Sequence, residues 1–228
     1  MFDRVRSVVY NRYRRRFGRI AIRDPRPIAE ENPYTFTLPS EEELAHLRPG
    51  HIVKLIFESV PAGRDYDAER MWVKITHRDG NRFLGLLDNQ PEDMPQLAPG
   101  DEISFFSHQI VDVFWVLPSD RDQFEDPDAE RWFARAAVDP RITEDGAPVR
   151  YIRREFPEDR DGSAHPDTGW LILSEPSGDW RTVQTESLAI GLVLNRDDSI
   201  LPYLDAPVGS AFRRTADREP FSPAGRLH

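Results

Sequence analysis

Three turn signals divide the middle of this chain: Pro49-Gly50, Asp79-Gly80-Asn81 and Pro99-Gly100. Between and after them lie stretches of strand character, at His51–Ser59, Met71–His77, Phe83–Leu87 and Glu102–Val116. A Gly-Asn pair flanked by apolar runs admits the positive φ of a tight hairpin. The spacing predicts antiparallel strands, with a bend near His108, forming a curved sheet or half-barrel. Ser40-Glu-Glu-Glu43 ahead of Leu44 and Leu47 predicts a short helix with Ser40 as N-cap and Glu43 completing a capping box.

The other elements follow from periodicity. Phe2, Val5, Val9, Tyr13, Phe17 and Ile20 recur at steps of three and four, which predicts an amphipathic helix over residues 2–20 that Gly18 ends or frays. Its flanks are basic: residues 1–26 hold nine Arg against Asp3 and Asp24, a net of +7, and the remaining chain carries −17. Such a helix either packs on its own domain, binds a partner, or docks on RNA or an anionic membrane. The acidic remainder favours a basic partner through electrostatic steering. No window approaches the roughly 18 apolar residues of a membrane span. The N-terminus lacks a secretory signal pattern, and the absence of Cys fits a cytoplasmic location.

Beyond Val116, Pro118–Asp128 is acidic and turn-rich, and Ala129–Val138 predicts a short helix around Trp132, Phe133 and Ala136. Strands are expected at Val149–Phe156 and Gly169–Ser174, and a short helix or buried strand at Ser187–Leu194. Asn195–Ser199 supplies turn formers, with Asp197 or Asp198 capping a short turn over Ser199–Leu204, and Pro207 and Gly209 turn the chain into Ala211-Phe212. The resulting expectation is an α+β protein in four segments. These are a basic amphipathic helix and lead-in (1–27), an antiparallel β-rich domain (28–117), an acidic connector with a short helix (118–148) and a second small α+β domain (149–228).

Two resemblances overlie this reading. Glu69-Arg-Met-Trp-Val-Lys-Ile75, Phe83-Leu-Gly-Leu-Leu-Asp-Asn-Gln-Pro91, Leu97-Ala-Pro-Gly-Asp101 and Ile110-Val-Asp112 together resemble a bacterial domain family of unknown function. In that pattern the final Asp is followed by Trp, whereas Asp112 here precedes Val113-Phe-Trp115, so Asp112 inherits no role. Tyr151-Ile-Arg-Arg-Glu155, Thr168-Gly-Trp170 and the run Val193–Phe212 resemble bacterial immunity-type domains, which neutralise toxins. Members commonly carry an acidic Gly-Asp-Glu loop after the Trp strand; here Glu175–Trp180 stands there, with less acid and an extra Trp. The resemblances mark Trp72, Gly85, Asn89, Pro91, Gly100, Trp170, Leu204, Pro207, Gly209 and Phe212 as structural signature positions.

No constellation spells out a reaction. The six His are scattered, without the i, i+4 spacing of a metal helix, although His51, His77 and His108 could converge across strands. Acidic pairs such as Asp197-Asp198 and Glu158-Asp159 read as solvated surface, and neither a Gly-x-Ser-x-Gly elbow nor a phosphate-binding Gly pattern is present. The expectation is a non-catalytic binding protein without cofactor or metal. The immunity resemblance implies occlusion of a basic toxin, with Trp180, Asp197, Asp198, Tyr203 and Asp205 as candidate contacts. The alternatives are a regulatory or small-ligand-binding protein, or docking on RNA or a membrane through the Arg-rich helix.

Overall fold

The computed structural model describes residues 2–125, 129–158, 164–175, 183–217 and 219–224, with the side chains of 2–9 and 129 left aside. The chain is α+β and divides into two units. The first comprises residues 1–30 and 37–125, the second 31–36 and 126–228.

In the first unit α1 (Phe2–Phe17) leads into β1 (Arg19–Ile22), then α2 (Arg26–Glu31) and α3 (Glu41–His46). The sheet follows as β2 (Ile52–Val60), β3 (Ala68–Asp79), β4 (Arg82–Leu87), β5 (Glu102–Phe106) and β6 (Ile110–Phe114), with α4 (Pro118–Phe124) last. The order is β1-β2-β3-β4-β5, all antiparallel, and β6 returns to β2. One edge of β2 therefore serves two strands: Ile52–Leu55 pair with β6 and Phe57–Val60 with β1. That sharing rolls the sheet until it nearly closes, around a core that includes Val53, Leu55, Phe57, Val73, Phe83 and Phe105. The bend expected near His108 is a 3-10 turn, Ser107–Gln109, between β5 and β6. Ser40 and Glu43 form both halves of the capping box on α3.

The N-terminal helix departs from its apolar pattern. It ends at Phe17, and Ile20 is already in β1. Gly18 closes it because a Cβ there would meet the Arg14 carbonyl at 2.5 Å. Tyr13 and Phe17 are 52% and 62% exposed, whereas Arg14 is fully buried. Arg14 Nη1 donates to Asp93 Oδ1 at 2.6 Å and Nη2 to Ser59 Oγ at 3.0 Å, with a further bond to the Asp93 carbonyl. The face that docks is chosen by one buried guanidinium bonded through both terminal nitrogens, with its Nε left without a partner, a competitor that hydrophobic periodicity does not register.

The second unit is a mixed sheet of order β10-β7-β9-β8-β11-β12. Its strands are β7 (Arg135–Val138), β8 (Tyr151–Arg154), β9 (Asp167–Leu173), β10 (Glu186–Ala189), β11 (Ala211–Arg213) and β12 (Ser222–Pro223). β7 and β9 run parallel, and the other pairs are antiparallel. The stretch expected to be an acidic connector is thus structured differently. Pro118–Phe124 belongs to the first unit as α4, Ala129–Phe133 is a 3-10 turn, and Arg135–Val138 is an interior strand in place of the predicted helix. The reason is local: Ala136 and Val138 alternate inward with Arg135 and Ala137 less buried, a period of two inside a run too short to show it. α5 (Pro140–Glu144) and α6 (Ile190–Leu194) complete the unit, so the ambiguous run Ser187–Leu194 is strand first and helix second.

Residues 31–36 are lent to this second unit by a chain that then returns to the first. Asn195 holds them: its Oδ1 accepts from Tyr34 N at 2.9 Å and its Nδ2 donates to Thr35 Oγ1 at 2.7 Å, while Tyr34 packs edge-on against Trp132.

Candidate functional sites

The signature run of the second unit is built around one indole and one guanidinium. Trp170, on β9, is buried, and its Nε1 donates to the Leu204 carbonyl at 3.3 Å. Arg154, at the end of β8, lies over the same ring and donates to the carbonyls of Leu204 (3.3 Å), Ala206 (2.7 Å) and Thr168 (3.3 Å). Pro207 and Gly209 then reverse the chain, with Gly209 at φ +92°, where an L side chain is strained, and the Gly209 amide donates to the Arg154 carbonyl at 2.8 Å. Phe212, on β11, packs under Tyr203. Trp170, Leu204, Pro207, Gly209 and Phe212 are therefore joined in one corner, an assembly whose polar groups are turned inward.

Two of the candidate contact residues are committed to this interior. Asp197 caps the 3-10 helix Asp198–Tyr203 through Ser199 N, and it pairs with Arg214, a buried guanidinium that also donates to the Val149 carbonyl at 2.6 Å and Ser199 Oγ at 2.9 Å. Tyr203 donates to the Phe221 carbonyl at 3.1 Å and stacks against Phe212 and Phe221. Asp198 and Asp205 are exposed, Asp198 within 3.4 Å of the Tyr34 hydroxyl and Asp205 paired with Arg131 at 2.7 Å. Trp180 lies outside the described residues.

A concave surface of the same unit was not singled out from sequence. A cleft of about 210 Å³ is lined by Glu155, Phe156, Glu158, Asp167, Trp170 and Val183, among others. At its edge Gly169, the third residue of β9, has φ +73°, and a Cβ there would meet the Glu155 carbonyl at 2.2 Å. This close approach lets the Glu155 amide donate to the Gly169 carbonyl at 2.7 Å. Asp167 is oriented by two backbone amides, those of Glu158 and Gly169, each at 3.0 Å. Phe156 stands at the rim with 83% of its surface exposed. Carboxylates around a wall of Trp170 and Leu171, with an exposed aromatic beside them, suit a cationic side chain of another protein. Sequence alone does not bring Glu158 to Asp167, nine positions on; the hydrogen bond from the Glu158 amide to the Asp167 carboxylate does.

The first unit's signature residues make local contacts within their own sheet and its turns. Lys54 faces Trp72 on one neighbour and Asp112 on the other, its Nζ 4.3 Å from the indole centroid and 2.6 Å from Asp112 Oδ2. Asn89 Oδ1 accepts from the Trp72 amide, Pro91 is buried, and Gly100 (φ +88°) donates its amide to the Leu87 carbonyl at 2.8 Å. At Gly85 a Cβ would strike Val73 Cγ1 at 2.5 Å, so β4 can lie flat on β3 only there.

Among the described residues, His51 does not meet His77 and His108 in a metal-ligating group. It meets His46 and Asp120 instead. His46 ends α3, Gly50 at φ +100° turns the chain, and His51 returns with its ring stacked on His46 at 5.8 Å. Asp120 enters from α4, its Oδ1 3.5 Å from His46 Nε2 and its Oδ2 3.6 Å from His51 Nε2. Arg48 stands at the same carboxylate, 3.5 Å away, and 3.1 Å from His46 Nε2. Trp115 and Phe124 wall the group. Burial and then the Arg48 charge hold the His51 pKa below the ordinary imidazole value, against the pull of Asp120.

No described helix is long and apolar enough to cross a membrane. No curated protein and no solved structure matches the chain. Two family models match it, one inside each unit. Residues 40–125 match the family described as an uncharacterized protein conserved in bacteria (DUF2314), and residues 137–223 match the Immunity protein Imm33 domain.

Proposed function

We propose that the protein is a non-catalytic cytoplasmic binder of the immunity type, whose second unit neutralises a basic protein toxin by covering its working surface. The observation that carries this reading is the immunity-domain match over residues 137–223, the segment that forms the sheet and its acid-lined cleft. In the proposed complex the cleft takes a Lys or Arg of the toxin between Glu155, Glu158 and Asp167, and Phe156 packs beside it. Asp198 and Asp205 are further exposed carboxylates of this unit that add to its attraction for a basic partner. Charge brings the partners together, and the buried aromatic contact sets how long they stay.

The test is binding to the product of each toxin-like gene encoded beside this one. Glu155→Lys with Phe156→Ala is expected to weaken the complex by roughly 100-fold. Raising salt is expected to slow association more than it speeds dissociation. A complex insensitive to both changes would remove the cleft from the interface.

A second reading is favoured by one observation: the exposed side of α1 carries Arg12, Tyr13, Arg15, Arg16 and Phe17 together. This face suits RNA or an anionic membrane. Deleting residues 1–23 would also remove Arg14 and β1 from the first unit, so the cleaner test is Arg12→Glu with Arg16→Glu. Loss of RNA or vesicle binding supports docking through α1, and unchanged binding rules it out.

A further inference from the structure

The His46, His51 and Asp120 cluster is not accounted for by partner binding in the second unit. Its donor atoms all lie within 4.8 Å of one another. The His–Asp separations of 3.5 and 3.6 Å are long for hydrogen bonds. They are the separations expected between two ligands of one tetrahedral ion, whose bonds are each about 2.0–2.2 Å. His51 adds an independent observation. It is 7% exposed, and neither of its ring nitrogens has a hydrogen-bond partner. An imidazole buried without a partner forfeits the hydrogen bonds that water would give it, a cost that a bound cation removes. Asp120 is 6% exposed, and its closest donor is the neighbouring Ser119 hydroxyl at 3.3 Å.

We propose that His46, His51 and Asp120 bind a divalent first-row transition metal, with Zn²⁺ the ion that best matches the set. Two neutral imidazoles and one carboxylate select against Ca²⁺ and Mg²⁺, which prefer oxygen, and suit borderline ions. Three protein ligands leave one position open. It lies on the side where His46 is partly exposed and Arg48, itself half-exposed, reaches in. Arg48 is the competing cation at this carboxylate, and it swings to solvent when the metal binds. The ion would tie the end of α3, the start of β2 and α4 into one clip.

The experiment uses the tag-free full-length protein, stripped with chelator and titrated calorimetrically with ZnCl₂, with Co²⁺ absorption reporting coordination geometry. Intrinsic Trp fluorescence, to which five Trp contribute, gives a third readout, since the Trp115 ring lies 5.5 Å from that of His51. One equivalent is expected, with a tetrahedral Co²⁺ spectrum and a Zn²⁺-dependent rise in melting temperature. Asp120→Asn and His46→Gln are each expected to weaken binding at least about 100-fold. Circular dichroism in chelator checks that these two variants remain folded. His77→Gln with His108→Gln is expected to bind as the natural chain does. Arg48→Ala is expected to tighten binding, because it removes the competing charge. Absence of stoichiometric binding, or binding that survives both Asp120→Asn and His46→Gln, would overturn the proposal.

Discussion

Arg14 gives up all contact with solvent and receives the Asp93 carboxylate, the Asp93 carbonyl and the Ser59 hydroxyl. A buried pair of this kind costs far more to break than it contributes when whole, because the survivor is left as an uncompensated charge. Asp93→Ala is therefore expected to destabilise the first unit by about 3–5 kcal/mol. Arg14→Met combined with Asp93→Asn, which removes both charges, is expected to recover most of that loss in urea denaturation. Asp139 makes a different prediction. Burial opposes its ionisation, but hydrogen bonds from the Arg141 side chain and the Ser174 hydroxyl outweigh it and bring the pKa from 3.8 to about 2. Since the folded value is the lower one, the ionised carboxylate stabilises the fold above pH 4. That contribution, about 2 kcal/mol, fades as pH falls from 4 through 2. Asp139→Asn should lower stability at neutral pH and flatten the acid limb of the stability curve.

At the scale of elements, the corner that joins β8, β9 and the 3-10 helix depends on Arg154 and Trp170 for its carbonyl partners. Arg154→Ala is expected to cost about 3 kcal/mol, through three lost charge-assisted bonds partly replaced by water. Trp170→Phe, which keeps most of the ring volume but leaves the Leu204 carbonyl one donor short, is expected to cost about 1–3 kcal/mol. Thermal and urea unfolding of the two variants check both figures. Elements of this kind differ in how far they can be read from sequence. The α3 capping box, the Gly80 hairpin and the Pro99-Gly100 corner are local, so their residues announce them. β7 is not local in this sense. Four residues, Arg135-Ala-Ala-Val138, become an interior strand only because β9 and β10 lie on either side. Likewise His46 and His51 are separated by five residues across a helix end and a corner, and Asp120 comes from the far end of the unit. No spacing rule joins them, and only the Gly50 turn and α4 do.

Across the whole molecule, charge is segregated: +7 on residues 1–26 against −17 on the rest. Part of the basic segment is spent internally, through Arg14 on Asp93 and Arg23 on Glu58. In the second unit Asp139 and Asp197 are likewise paired, with Arg141 and Arg214. Asp198 and Asp205 are exposed, Asp205 against Arg131, and Glu155 at the cleft lies 3.4 Å from Arg153. Identity of the contact surface was less legible than the fold, because carboxylates that hold a corner together and carboxylates that face a partner have the same sequence appearance. Asp197 and Asp198 are adjacent, yet one is locked to Arg214 and the other faces solvent.

The central claim is that the second unit neutralises a toxin by binding it. The most direct measurement is growth of a sensitive bacterial host that expresses each neighbouring toxin-like gene with or without this protein. The account predicts growth restored by the natural chain and by Asp120→Asn, but not by Glu155→Lys with Phe156→Ala. Growth that is never restored against any of those toxins, or that the cleft variant restores equally well, would contradict it.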